Sequence, residues 1–307
     1  MIKFHILRNL SGCTPEYIYH DYKKMTPGRS AIWGDVQATL NPKDADFFVV
    51  FGRVPAPDEC PKERTIIIGR EPRYWSGHTD LRGLDGYYGV YWYDMDSSFL
   101  PVLWGVPYDY DQLTALNDPQ PKTKEISTIV SDKNFMSGHQ YRLDFLREFS
   151  HRYPIDVYGR GGLMMPPTVP PTVRILGYIE DKSLSMVDYQ FSIGMENCQS
   201  PGYFSGKLID IILLWGIPIY WGAPDIYRYF AVIESIHAPG AIINVEHTIP
   251  IPDAVGKVID TINLIENDDA VRQAVLEKVA EARQLILNRY QFWPLVEHMI
   301  KHKEFPK

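Results

Sequence analysis

Between Tyr189 and Trp221 the chain reads YQFSIGMENCQSPGYFSGKLIDIILLWGIPIYW, and no other stretch restricts the possible folds as tightly. A short apolar run, Phe191 to Met195, ends in a polar turn carrying Glu196, Asn197 and Gln199. Pro201, Gly202 and Tyr203 follow, then a helix beginning near Ser205 and a second apolar run from Ile217 to Trp221. Two buried strands joined by one helix close as a right-handed crossover between parallel strands, which directs this part of the chain to an α/β architecture. The helix places Lys207 in its first turn, where a cation opposes the helix dipole. An anionic partner offsets that cost, and the free N–H groups of a helix start suit phosphate. An ordinary strand-helix-strand unit with a solvated lysine is the alternative.

The same alternation runs through the chain. Ile2 to Leu7, Phe47 to Phe51 and Thr65 to Ile68 are short apolar runs bounded by turn residues, which favours buried strands over helices. Asn117 to Lys124 (NDPQPKTK) is polar, proline-bearing and aperiodic, as expected of a linker. Beyond it the pattern predicts strands at Ile126–Val130, Ile155–Tyr158, Val173–Leu176, Phe191–Met195, Ile217–Trp221 and Ala241–Val245. A helix is expected over Gln140–His151, with Leu143, Phe145, Leu146 and Phe149 on its apolar side. Gly159 to Pro171 reads as a proline-rich loop, and Asp253 to His302 as successive helices, one over Val271–Leu287 and one starting at Pro294.

Composition narrows the function classes. The 307 residues, 45% hydrophobic, suffice for one large or two medium cores. A net charge of −7 without a basic tract excludes nucleic acid and anionic membrane as general partners, so any phosphate recognition is local. Cys13, Cys60 and Cys198 are scattered and odd in number, which fits a reducing compartment and neither a disulfide framework nor a metal knuckle. The opening MIKFHILRNL is too short and polar for a signal peptide, and no run approaches the roughly 18 apolar residues of a membrane span.

Three blocks of the chain resemble glycosyltransferase family 10, the α-1,3-fucosyltransferases. The donor motif of that family, roughly YKFSLAFENSQ, a turn, Y-[VI]-TEK and a PVVWG-type strand, is matched by Tyr189, Phe191, Ser192, Glu196, Asn197, Gln199, Tyr203, Lys207, Pro218, Trp221 and Gly222. Asp132–Gly162 is similar to the family's serine-ended strand, YR-x-x-F helix and VDVYG strand. Glu71–Gly105 resembles its segment running from ESPSH to PYG. The resemblance implies a GT-B fold, two Rossmann-like α/β domains facing a cleft: residues 1–120 on the acceptor side, 121–285 for the donor, and a closing helix in 286–307. It implies an inverting transfer of L-fucose from GDP-β-L-fucose to a glycan hydroxyl in α-1,3-type linkage. No cofactor is required on that reading, a divalent metal is not predicted, and the sugar nucleotide is a co-substrate. No nucleic-acid partner and no integral membrane segment are expected. The expected location is cytoplasmic, of the soluble bacterial or viral type, with peripheral membrane association as the alternative.

The residues follow from those matches. Arg142, near the start of a helix after a strand, suits a bidentate grip on phosphate, as does Lys207 as a point charge, although a solvated surface arginine is the alternative. Asn197 and Tyr203 match positions that would bond the phosphates or ribose, and Tyr158 and Gly159 would flank the nucleotide. Glu196 would hold a hydroxyl of the donor or orient Lys207. Glu71 aligns with the base of the family's E-S-P motif. Here it is followed by Pro72 and Arg73, so a salt bridge to Arg70 or Arg73 is the competing role. Arg73, Tyr74, Trp75 and Asp96 are acceptor-side candidates, and the other aromatics up to Tyr93 would line a carbohydrate surface or fill cores. Asp94 and Asp96 resemble a metal-binding DxD but fall in the acceptor-side block, which favours a structural or acceptor-facing role over a metal site. The chief departure is Gly206, where the family has the glutamate of TEK, thought to contact the donor sugar. A same-fold transferase with another sugar, or a non-catalytic glycan- or nucleotide-binding protein, is therefore an alternative outcome.

Overall fold

The computed structural model describes residues 1–8, 14–51, 60–69, 85–91, 101–160, 172–235 and 237–303. Within them two six-stranded sheets form in succession along the chain. The first contains β1 (Ile2–Arg8), β2 (Ile32–Trp33), β3 (Val36–Ala38), β4 (Phe47–Phe51), β5 (Thr65–Ile68) and β6 (Gly89–Tyr91), in the order β2-β3-β1-β4-β5-β6. Its pairs are parallel except for the small antiparallel β2–β3 unit. Those two short strands are too brief to show a period and were not expected.

The second sheet is wholly parallel. It is built from β7 (Lys124–Ile129), β8 (Ile155–Tyr158), β9 (Val173–Gly177), β10 (Tyr189–Met195), β11 (Ile217–Trp221) and β12 (Ile243–Asn244), ordered β12-β11-β10-β7-β8-β9. Read from the other side this is the doubly wound 3-2-1-4-5-6 order, in which the winding reverses between β7 and β10. A crevice opens beyond the carboxyl ends of the strands at such a reversal, so the topology alone locates a binding site. The fold expected from the sequence, α/β of the GT-B type, is the fold observed.

Two helices point at that crevice. In chain order the helices are α1 (Pro15–Lys23), α2 (Tyr110–Ala115), α3 (Ser137–Ser150), α4 (Gly206–Leu213), α5 (Ile251–Asn267), α6 (Asp269–Leu285) and α7 (Phe292–His302). α3 joins β7 to β8 and α4 joins β10 to β11, so both start at the carboxyl edge of the sheet. α3 begins three residues before the expected Gln140, because the Gly138 N–H is satisfied by the Asn197 carbonyl at 3.1 Å. α4 is buried from Leu208 to Leu213, and within that span every residue but Asp210 is apolar, as expected of a helix enclosed on all sides. It seats close against β10 because residue 194 is glycine: a Cβ there would stand 2.5 Å from the Lys207 carbonyl oxygen.

The chain closes on its own beginning. α7 starts at Phe292, with Pro294 inside its first turn, where the missing N–H is harmless. It packs on the first sheet, not the second. Phe292 meets Tyr22 and Phe51 at ring-centroid distances of 4.9 and 5.5 Å, Trp293 meets Phe4 at 5.4 Å, and Trp293 Nε1 donates to the Tyr22 carbonyl at 2.9 Å. Buried aromatics of this size contribute several kcal/mol by area alone, roughly 25 cal/mol for each Å² removed from water. Tyr88 belongs to the same scaffold, its hydroxyl donating to the Ile300 carbonyl at 2.7 Å.

Candidate active site

A cavity of about 340 Å³ lies where the topology places it, between the ends of β7 and β10. Ser131 and Lys133 line it after β7, Asn197 after β10, Arg142 from α3, Gly206 and Lys207 from α4, and Lys182 from the turn before β10. Four cations therefore face one space in a chain whose overall charge is −7. The starts of α3 and α4 add their partial positive charge to the same side.

Glu196 organises the α4 side. It is fully buried at the end of β10, and its carboxylate takes the Ser205 N–H at 2.7 Å, the Ser205 hydroxyl at 2.9 Å and Lys207 Nζ at 2.9 Å. Ser205 is the N-cap of α4, its hydroxyl accepting from the Lys207 N–H at 3.3 Å. The carboxylate thus fixes both the helix start and the lysine. Of the two roles open to Glu196, orientation of Lys207 is the one its bonds fulfil. Lys207 keeps about a third of its side chain exposed (35%), so its remaining N–H donors are open to a ligand.

Arg142 forms the opposite wall. It is 5% exposed, and its Nη2 donates to the Ser131 carbonyl at 3.3 Å and to the Lys133 carbonyl at 3.2 Å, which ties it to the loop after β7. Its Nε is buried with no hydrogen-bond partner among the described residues. Burial draws its pKa below the ordinary arginine value, yet a guanidinium stays charged under any physiological condition. His139, one turn earlier, donates from Nε2 to Asn197 Oδ1 at 3.1 Å and has its Nδ1 buried without a partner. Burial, then the neighbouring Arg142, holds the imidazole below its usual pKa, so it is neutral near pH 7. Its bond aligns Asn197 along the cavity rim.

Lys182 pairs with Asp210, which is fully buried one turn into α4 and also accepts the Gly105 N–H at 2.9 Å. Nothing local in the sequence marks Lys182, Asp210 or Lys133. His139 did carry a signal, three residues before Arg142 on the same helical face.

The structure does not bring every predicted residue to the cavity. The Tyr158 side chain is turned to the Tyr189 hydroxyl, 3.0 Å away, on the face of β8 that also carries Asp156. Tyr203 is buried in the core, and its carbonyl accepts from the Tyr220 hydroxyl at 3.3 Å. Gly159 closes β8 with φ +83°, and a Cβ would stand 2.5 Å from the Val130 carbonyl oxygen, so its role is backbone packing beside β7. Glu71, Arg73, Tyr74, Trp75, Asp94 and Asp96 lie outside the described residues. Among the described residues no three His, Cys, Asp or Glu side chains are grouped to hold a metal ion, and no helix is long and apolar enough to cross a membrane.

Residues 119–248 match the family model described as glycosyltransferase family 10 (fucosyltransferase), C-terminal part. An α-(1,3)-fucosyltransferase, FucT, of Helicobacter pylori is 39% identical over 56 residues, a stretch covering 18% of this chain and 12% of that protein. The chain therefore spans only about an eighth of the relative's length in that match. A crystal structure of an α1,3-fucosyltransferase with GDP-fucose aligns over 95% of this chain and 92% of its own, with a TM-score of 0.51 and 16% identity. An α-glucosyltransferase in complex with UDP and a 13-mer DNA aligns over 99% and 100%, with a TM-score of 0.54 and 11% identity. At such identities the structural likeness is one of fold.

Proposed function

We propose, from the match of residues 119–248 to the family model of glycosyltransferase family 10, that the protein transfers L-fucose from GDP-fucose to a hydroxyl group of a glycan. The observation that carries this reading is the cavity at the β7/β10 reversal, where Arg142, Lys207 and two helix starts converge. A departing nucleoside diphosphate carries two to three negative charges, and oriented cations and N–H groups lower the energy of that departure. Lys207 acts as a point charge fixed by Glu196, and Arg142 offers a planar fork fixed by two loop carbonyls.

The reaction on this reading is a single displacement. A carboxylate takes the proton of the acceptor hydroxyl, the oxygen attacks the anomeric carbon, and the diphosphate leaves on the opposite face with inversion. Glu71 is our candidate for that carboxylate, and the charge compensation comes from this chain's own cations without a required metal. A structural neighbour holding GDP-fucose supports the donor assignment.

Gly206 favours a second reading, a transferase of the same fold that uses another sugar nucleotide, because a glycine offers no side chain to the sugar. The two part in a thermal-shift experiment with GDP, UDP, GDP-fucose and GDP-mannose, since a ligand that binds only the folded state raises Tm. The fucosyl reading expects stabilisation by GDP and more by GDP-fucose than by GDP-mannose. Stabilisation by UDP and not GDP overturns it in favour of the second reading.

A further inference from the structure

We propose that Lys182, held by the buried Asp210, reads the transferred sugar of the donor, so that an ammonium acts where the family resemblance expects a carboxylate. This rests on the nucleotide-sugar reading above. A Cβ on residue 206 would lie 3.1 Å from Asp210 Oδ2 and 3.5 Å from Lys182 Nζ. The ion pair thus occupies the space into which a side chain at 206 would grow. Asp210 itself is closed to a ligand, since it is fully buried, with one oxygen on the Gly105 N–H and the other on Lys182. Lys182 is the member of the pair that lines the cavity, and its side chain is 33% exposed. Its ammonium is ion-paired with Asp210 and, being part-exposed, still presents N–H donors to the cavity.

The position along the cavity assigns the role. Gly206 and Asp210 are backed by Leu103 and Gly105, residues that precede the second sheet, whereas Arg142 sits against the loop after β7. A diphosphate held by Arg142 and Lys207 directs its sugar toward the side built by the earlier part of the chain. Lys182 stands on that side, beside Gly105. An ammonium donates and never accepts, so the sugar that fits presents oxygen acceptors to it, whether hydroxyl, ring or carboxylate oxygens.

The test is calorimetric titration of the full chain with GDP and, separately, GDP-fucose. Lys182→Met alone strands a buried carboxylate, so the double variant K182M/D210N accompanies it, and Lys182→Arg tests rescue. The expected result is a loss of tenfold or more in affinity for GDP-fucose in both Met variants, with GDP unchanged within twofold and K182R close to the parent. Equal loss for both ligands overturns the proposal and makes Lys182 a diphosphate ligand. No loss for either overturns it and makes the pair structural. If the parent binds UDP and UDP-glucose in place of the guanosine pair, the fucosyl reading fails, and the same comparison made with those two probes decides the role of Lys182.

Discussion

At the opening edge of the second sheet, where its strands begin, Asp156 is 6% exposed on its side chain. It accepts from Arg174 Nε at 2.6 Å, from Arg174 Nη2 at 2.5 Å and from the Tyr189 hydroxyl at 2.5 Å. At the closing edge Glu196 is likewise buried beside a cation. Each edge has a cavity, and the one near Asp156 is the larger, about 430 Å³ against 340 Å³. Volume and ion pairing therefore do not distinguish the two. What differs is the direction of the backbone and the state of the cations. Crossover helices of a parallel sheet begin at the carboxyl edge, so only that edge receives positive helix ends. Arg174 gives both ends of its fork to Asp156, whereas Lys207 and Arg142 keep donors in hand. Burial, and after it the hydrogen bond to the aspartate, holds the Tyr189 phenol well above its ordinary pKa, so the phenol at that edge stays protonated.

Removing the charge at the closing edge makes the sharpest test of this contrast. Lys207→Ala takes a cation from the diphosphate and leaves Glu196 buried with only Ser205 to satisfy it. Loss of one such stabilising group lowers turnover roughly 10²–10³-fold. The stranded carboxylate costs a further ~2 kcal/mol of stability, less than a fully buried pair would because Lys207 is partly exposed. Turnover with GDP-fucose and a glycan acceptor, alongside a chemical melt, measures the two effects. Unchanged turnover at intact stability would make the closing edge no different from the opening one.

The mirror experiment is Asp156→Asn. Tyr189 and Arg174 lose an ionised acceptor, and the expected cost is about 2 kcal/mol of stability, read as a lower denaturant midpoint. The thermal shift given by GDP should be the same as in the parent. A lost GDP shift would mean that the opening edge takes part in binding. Arg142→Lys is milder: it keeps the charge and removes the fork, so GDP binding should weaken about tenfold, a difference near 1.4 kcal/mol. Titration with GDP reads it directly.

The same contrast explains what the sequence revealed. Every strand of the second sheet was legible because β-branched and aromatic runs of four to seven residues end at Gly, Pro or polar turns. Arg142, Glu196, Asn197 and Lys207 were singled out by the resemblance of their blocks to the family motifs, and each sits within a few residues of a strand end or helix start. Lys182 and Asp210 were not, since their meeting depends on how the turn before β10 lies against α4. Nor was the return of α7 to the first sheet, whose partners Phe4, Tyr22 and Phe51 lie more than two hundred residues earlier. Tyr158 is placed differently from the reading of it as a nucleotide neighbour, because the parity of β8 puts its side chain on the face of Asp156, where its hydroxyl meets that of Tyr189.

His139 provides the finest probe of the closing edge, through pH. Its folded-state pKa is held below the ordinary value near 6.5 by burial and by Arg142, while in the unfolded chain that ordinary value returns. Between the two values the unfolded chain binds more protons than the folded one. Stability therefore rises with pH through that window and is lost as pH falls from about 7 toward the folded value, below which the loss levels off. Each unit of separation is worth about 1.4 kcal/mol. His139→Gln keeps an N–H for Asn197 but cannot titrate, so its stability should not follow the parent's decline in mild acid. Urea melts of the two proteins at intervals between pH 5 and pH 8 would show the curves converging on acidification. Parallel curves would mean that the imidazole titrates alike in both states, and that the cations of this edge do not act on it.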